Sequence, residues 1–166
     1  MHPPFTLRPV RPDDAEGIAA IYNEYVEHTT VSFETEAVSC DEMRRRIGAL
    51  AAGFPYFVAE GEAGIAGYCY AHPWKERAAY AHTLEMTIYL SPRHVGCSLG
   101  RQLMEMLTAE CRRRGVHALI ACITADNARS IAFHERLGFR RVSLFREVGR
   151  KFDRWLDVAD LQLLLD

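Results

Sequence analysis

Between Ile88 and Val116 the sequence IYLSPRHVGCSLGRQLMEMLTAECRRRGV passes from an apolar run, through a turn holding Gly96 and Gly100, into a long amphipathic pattern. That order constrains the fold more than any other stretch. The near-continuous apolar run HALIACITA follows it, and strand, helix and interior strand in succession imply a parallel pair joined by a helical crossover. The turn leaves the first N–H groups of the helix without intrahelical partners, and the helix dipole adds partial positive charge there. Such an end accepts an anion, and a diphosphate fits it. A chain that simply reverses direction can show the same order, so the stretch alone does not separate the two readings.

The rest of the chain supplies the elements around this unit. FTLRPV reads as a short strand, and RPDDAEGIAAIYNEYVEH as a helix entered at Asp13 or Asp14 with Ile18, Ile21, Tyr22, Tyr25 and Val26 on one face. SCDEMRRRIGALAAG carries Ser39 or Asp41 as cap and Gly53 as stop. FPYFVAEG and IAGYCYAHPW, separated by Gly61 to Gly64, have the pattern of a hairpin. In HTLEMTIYLSP, Leu84, Met86, Ile88 and Leu90 alternate with Glu85, Thr87 and Tyr89, so Glu85 points away from the main apolar set. The helix after the turn runs from Leu99 to Arg114 and stops at Gly115. DNARSIAFHERLGF is a short helix begun at Asp126 or Asn127 and closed by Gly138, and FRRVSLFREVGRKF and RWLDVADLQLLL read as closing strands. The expectation is one α/β (α+β) domain over residues 1–166: a mixed, mostly antiparallel sheet of about seven strands with about four helices.

Composition excludes several classes. A formal charge of −2 supplies no basic field for a phosphate backbone, so nucleic acid is not an expected partner. Neither a run of 18 apolar residues nor an N-terminal apolar run of signal-peptide length occurs, from which no membrane partner and a cytoplasmic location are expected. The five cysteines (Cys40, Cys69, Cys97, Cys111, Cys122) are odd in number and lack CxxC pairing, so neither a disulfide framework nor a metal site is expected. Cys97, inside the glycine turn, is the thiol expected to be accessible.

Read together with NARSIAFHERLGF, the central strand and turn resemble the GNAT superfamily of N-acetyltransferases over nearly the whole chain. TVSFE, PWKERAAYAHTLEMTIYLSPRH, FHERLGF and FREVGRKFDRWLDVADLQ resemble, more narrowly, its phosphinothricin and methionine sulfoximine acetyltransferase branch. The resemblance implies a GNAT fold and acetyl-CoA as co-substrate. Its diphosphate would be held by the turn Val95, Gly96, Cys97, Ser98, Leu99, Gly100 and Arg101, its pantetheine by the strand from Thr87 through Ile88 and Tyr89 to Leu90, with Asn127 and Ser130 of NARS alongside. The family's turn usually reads RxxGxG or QxxGxG; here Val95 and Ser98 stand at two of its three signature positions. A serine is strained at any positive φ that glycine accepts freely, so binding weaker than usual for the family is expected.

Acetyl transfer to an amine needs a neutral nucleophile, a stabilised oxyanion and a proton for the departing thiolate. The resemblance makes Glu85 the general base and His134 the general acid, and places the oxyanion donor at a backbone N–H between Thr87 and Tyr89, freed by a bulge. It also puts Arg77 on the acceptor's carboxylate, with Lys75 as the spare, and Phe33 and Glu34, with Tyr22 and Asn23, around its side chain. The implied acceptor is a small amino-acid-like molecule of the phosphinothricin, methionine sulfoximine or methionine sulfone type, the implied assembly a homodimer. Two other readings stay open: the same fold acting on a peptide N-terminus or polyamine, and a CoA-binding regulatory module with weakened catalysis. Without the resemblance, Glu85 is equally a solvated strand carboxylate, His134 a packed histidine and Phe33 a core residue.

Overall fold

In the computed structural model, which describes residues 5–165, seven strands form one sheet in the order β1-β2-β3-β4-β5-β7-β6. The strands are β1 Thr6–Pro9, β2 Tyr56–Gly61, β3 Gly64–Pro73, β4 Thr83–Leu90, β5 Ala118–Thr124, β6 Arg140–Lys151 and β7 Arg154–Leu164. Four helices complete it: α1 Ala15–His28, α2 Cys40–Ala51, α3 Leu99–Arg113 and α4 Ala128–Arg136. Every neighbouring pair is antiparallel except β4 and β5, which α3 joins. The expected domain extends at both ends past the described residues.

Alternation along β4 divides the core in two. Leu84 and Met86 pack with Leu99, Leu103, Leu107 and Cys111 of α3, and Ile131 and Phe139 join them from the α4 region. The opposite face carries Tyr56, Val58 and Tyr68 against Ile18, Ile21, Met43 and Ile47 of α1 and α2. Full burial of one leucine stabilises by roughly 1.5–3 kcal/mol, so the α3 stripe alone anchors the crossover firmly.

All four helices start where the sequence places them, but only two of them are capped by a side-chain bond. Ser39 accepts from the Glu42 N–H at 3.1 Å and Asn127 from the Ser130 N–H at 3.1 Å. Asp14 precedes α1 without capping it by a side-chain bond. Its carboxylate instead takes both Arg8 guanidinium nitrogens at 2.8 Å and the Arg11 N–H at 2.7 Å, tying β1 to the turn before α1. Ser98 precedes α3 at φ +64° with no side-chain capping bond, in the left-handed region that strains an L-residue.

Candidate active site

Parallel pairing of β4 with β5 covers only Thr83↔Ala118, Leu84↔Leu119 and Glu85↔Ile120; beyond it the strands part. Pairing of β3 with β4 continues without a register shift to Gly67↔Leu90, and the Ser91 N–H then bonds to the Ala66 carbonyl. In an antiparallel ladder the bonded pairs alternate. The amides of Thr87 and Tyr89 are therefore spent on β3, while those of Met86, Ile88 and Leu90 face β5. Ile88 is the first whose N–H meets no strand. The expected bulge is absent from β4: divergence of two strands frees the donor, and the three-residue window narrows to one amide.

The parted strands open a cleft of about 160 Å³ lined by Glu85, Thr87, Ile88, Cys122, Asn127 and His134 among others. Glu85 enters it from the α1/α2 face and His134 from the α3/α4 face, so the structure brings the two expected catalytic groups to one opening. Glu85 Oε1 lies 3.8 Å from His72 Nε2 in the register pair His72↔Glu85. His134 is 3% exposed, and its Nδ1 sits 2.8 Å from the Ser130 carbonyl. A carbonyl only accepts, so the proton of the neutral ring belongs on Nδ1, leaving the buried Nε2 with no partner. Burial lowers the ring's pKa below the ordinary histidine value, partly offset by the Ser130 carbonyl.

A second cavity, of about 600 Å³, continues from the cleft along Ile88 and Leu90 to the turn, where Val95, Gly96, Ser98, Gly100 and Arg101 line it, with Asn127, Ser130 and Phe133 opposite. Gln102 N–H is the first amide of α3 to close a helical bond, on the Ser98 carbonyl, leaving the N–H groups of Leu99, Gly100 and Arg101 free at the N-terminus. Gly96 is at φ +93°, and a Cβ there would lie 3.7 Å from a guanidinium nitrogen of Arg129. Gly100 is buried, and a Cβ there would meet Phe133 at 3.3 Å and Leu90 at 3.4 Å. Amides, a helix N-terminus and two arginines suit a diphosphate. The sequence reading missed Arg129: it singled out Asn127 and Ser130 and passed over the cation between them. It also missed Tyr25, whose hydroxyl donates to the Leu90 carbonyl at 2.6 Å and holds that end of the parted strand.

The acceptor-side residues are placed differently. Residues 29–34 form a strap over the cleft in which Val31 lines both cavities. Thr124 Oγ1 donates to the Thr30 carbonyl at 2.7 Å, Lys151 Nζ to the Ser32 carbonyl at 2.7 Å, and the Ser32 and Tyr22 hydroxyls share a bond of 2.8 Å. Phe33 lies so close to Gly149 that a Cβ there would fall 2.2 Å from its ring, and Glu34 is held by Arg46 at 2.6 and 3.1 Å. The Arg46 guanidinium keeps the Glu34 carboxyl below the usual carboxylate range. Neither Phe33 nor Glu34 lines the cleft; both fix the strap. Asn23 likewise serves structure, bonding the backbone of Val38 in both directions. Arg77 is exposed, has no ion pair among the described residues and lines neither cavity, while Lys75 lies over the Trp74 ring at 4.2 Å. Cys97 is only partly exposed, its thiol turned to the His94 carbonyl; Cys122 is the exposed thiol.

Among the described residues no cluster of His, Cys, Asp or Glu is disposed to hold a metal ion, and no helix is long and apolar enough to cross a membrane. A family model described as an acetyltransferase (GNAT) domain matches residues 7–159. The chain is 39% identical over 159 residues to a phosphinothricin N-acetyltransferase of Alcaligenes faecalis, covering 95% of this chain and 81% of that one. It is 36% identical over 167 residues to an L-methionine sulfoximine/L-methionine sulfone acetyltransferase of Salmonella typhimurium, covering 97% and 95%. A phosphinothricin acetyltransferase from Sinorhizobium meliloti, solved in complex with acetyl-CoA, superposes with a TM-score of 0.92 at 37% identity, covering 97% and 88%.

Proposed function

Because this chain belongs to the GNAT acetyltransferase family and is an N-acetyltransferase using acetyl-CoA, we propose that its acceptor is the α-amine of a small amino-acid-like molecule of the phosphinothricin, methionine sulfoximine or methionine sulfone kind. The observation that carries this reading is the parting of β4 from β5, which sets Glu85 and His134 at one opening from opposite faces of the sheet.

The free amides of Leu99, Gly100 and Arg101, with Arg129 beside Gly96, would hold the diphosphate of acetyl-CoA. The amides of Ile88 and Leu90, facing away from β3, would bind the pantetheine arm, and Ile88 would donate to the acetyl oxygen. Acetyl-CoA supplies an activated thioester carbonyl. Glu85 takes the proton that the acceptor nitrogen loses on attack. His134 can give a proton to the sulfur only after Nε2 has gained one, since Nδ1–H is committed to Ser130. Giving it away restores the neutral ring, so one proton leaves the nitrogen, one reaches the thiolate, and solvent resets both groups.

Homodimer formation is supported by the apolar side chains Val142, Phe145, Val148, Phe152 and Trp155, all at least half exposed on β6, the adjoining hairpin turn and β7, at the sheet edge. A cytoplasmic location is supported by all five cysteines being free thiols. Thiol release measured across free amino-acid analogues, peptides and polyamines tests the acceptor. Turnover confined to compounds with a free α-carboxylate, lost by 10²- to 10⁴-fold (about the range for a general base) in Glu85→Gln, is expected; equal turnover on peptides or polyamines refutes it.

A further inference from the structure

A third cavity, of about 200 Å³, lies under α2 on the face from which Glu85 enters the cleft. Met43, Ala49 and Leu50 of α2 form one wall, and the rings of Tyr56, Tyr68 and Tyr70 from β2 and β3 form the other. Arg45 and Arg46 stand along it, already paired with Glu42 and with Glu34 and Glu42 respectively. Tyr56 and Tyr68 belong to the core on this face, and packing alone leaves their hydroxyls without a task.

Two features indicate that the cavity takes a ligand. Tyr56 is 5% exposed and Tyr68 is 2% exposed, yet neither hydroxyl has a hydrogen-bond partner among the described residues, whereas Tyr22 and Tyr25 both use theirs. Neither hydroxyl oxygen is among the buried unpartnered atoms of the described residues, so both reach open space and are free to bond a molecule in the cavity. A line of aromatic rings also joins the wall of this cavity to the side of the catalytic cleft. Tyr70 lies 4.8 Å from Tyr56 and 6.0 Å from His72, centroid to centroid, and His72 stands against Glu85.

We propose that this cavity is the subsite for the acceptor's side chain, and that it selects a chain of methionine's reach that carries no positive charge and ends in a hydrogen-bond-accepting oxygen. The inference rests on the amino-acid acetyltransferase reading above. An α-amine beside Glu85 directs the side chain along Tyr70 toward the phenols. Met43, Ala49 and Leu50 offer apolar surface to the chain's stem, and the phenols offer donors to its tip. Burial pushes both phenols well above the ordinary tyrosine range, so they stay protonated and act as donors at any working pH. Arg45 and Arg46 hold the nearby carboxylates Glu42 and Glu34 in ion pairs, so a cationic chain finds no free counter-charge there, which separates this subsite from one built for lysine-like or polyamine acceptors.

The test compares methionine sulfone with norleucine, which has similar reach but no oxygen, in steady-state kinetics of the full chain. Tyr56→Phe and Tyr68→Phe remove one hydroxyl each without changing ring shape. Each is expected to raise KM for the sulfone by about 2- to 12-fold, the range of one net hydrogen bond, leaving KM for norleucine and for acetyl-CoA unchanged. Ala49→Trp, on the exposed surface of α2, is expected to obstruct the cavity and raise KM for both amino acids, again sparing acetyl-CoA. Unchanged KM values, or equal rises for sulfone and norleucine in the Phe variants, overturn the subsite while the acetyltransferase stands. Absence of turnover by the wild type on every free amino acid overturns the underlying reading as well.

Discussion

Ser98 is the residue whose replacement tests most directly how the anion turn is built. At φ +64° it occupies the left-handed region, and its hydroxyl makes no capping bond, only accepting from the Gln102 side-chain Nε2 at 3.3 Å. An L-residue there costs roughly 1–2 kcal/mol, and glycine gives back roughly 0.5–1 kcal/mol through its freer unfolded chain. Ser98→Gly is therefore expected to stabilise by about 0.7 kcal/mol, within a range of about 0 to 1.5 kcal/mol. For a domain of this size that raises Tm by roughly 1–3 °C, readable by differential scanning calorimetry. Gly96→Ala supplies the opposite sign, because φ +93° is a conformation that side chains rarely adopt. Acetyl-CoA titrated into the same proteins should bind Ser98→Gly more tightly than the wild type, since a side chain lining the cavity next to the free amides of α3 is gone. A fall in Tm of more than about a degree in Ser98→Gly would show that the serine's contacts outweigh its strain, and refute the reasoning.

His134 as proton donor predicts that kcat falls with rising pH above a midpoint below the ordinary histidine value, because burial depletes the charged ring and only that form can protonate sulfur; a profile still rising to alkaline pH assigns the proton to water. Arg129→Ala should weaken acetyl-CoA by about tenfold, toward the low end for a charged hydrogen bond because the residue is exposed, with stability unchanged; calorimetric titration reads it. Gly149→Ala would drive a methyl group to 2.2 Å from the Phe33 ring and so displace the strap, which lines both cavities through Val31, raising KM for the acceptor and for acetyl-CoA in steady-state kinetics.

The elements were legible where period and caps agreed. Leu84, Met86, Ile88 and Leu90 alternate as written and pack on α3, and Asn127 caps α4. Long-range pairing was not legible. Nothing near Ser32 in the sequence announces that Lys151, 119 residues on, donates to its carbonyl, or that Thr124 secures Thr30. The strap therefore hid the structural tasks of Phe33 and Glu34, which only the family resemblance puts around the acceptor's side chain. Register was equally out of reach: which of three amides is free depends on the phase of the β3–β4 ladder, and only pairing across strands fixes it.

Cys122 decides whether the acetyl group passes directly between substrates. It is the exposed thiol, it lines the cleft with Glu85 and His134, and a covalent route would have to use a nucleophile placed there. A thiol reacts as thiolate, and here the thiolate is opposed. Burial of the sulfur, although the residue as a whole is exposed, raises the thiol's pKa, and the negative charges of Glu85 and Asp160 raise it further. The neighbour proposed to take the amine's proton thus suppresses the competing nucleophile. Incubation with acetyl-CoA alone should leave the intact mass of the protein unchanged, and Cys122→Ala should retain kcat within about twofold, the scatter expected of a substitution that removes no transition-state contact. An acetyl adduct on Cys122 that an added amino acid discharges, together with loss of turnover in Cys122→Ala, would establish the two-step route and displace Glu85 and His134 from the roles proposed for them.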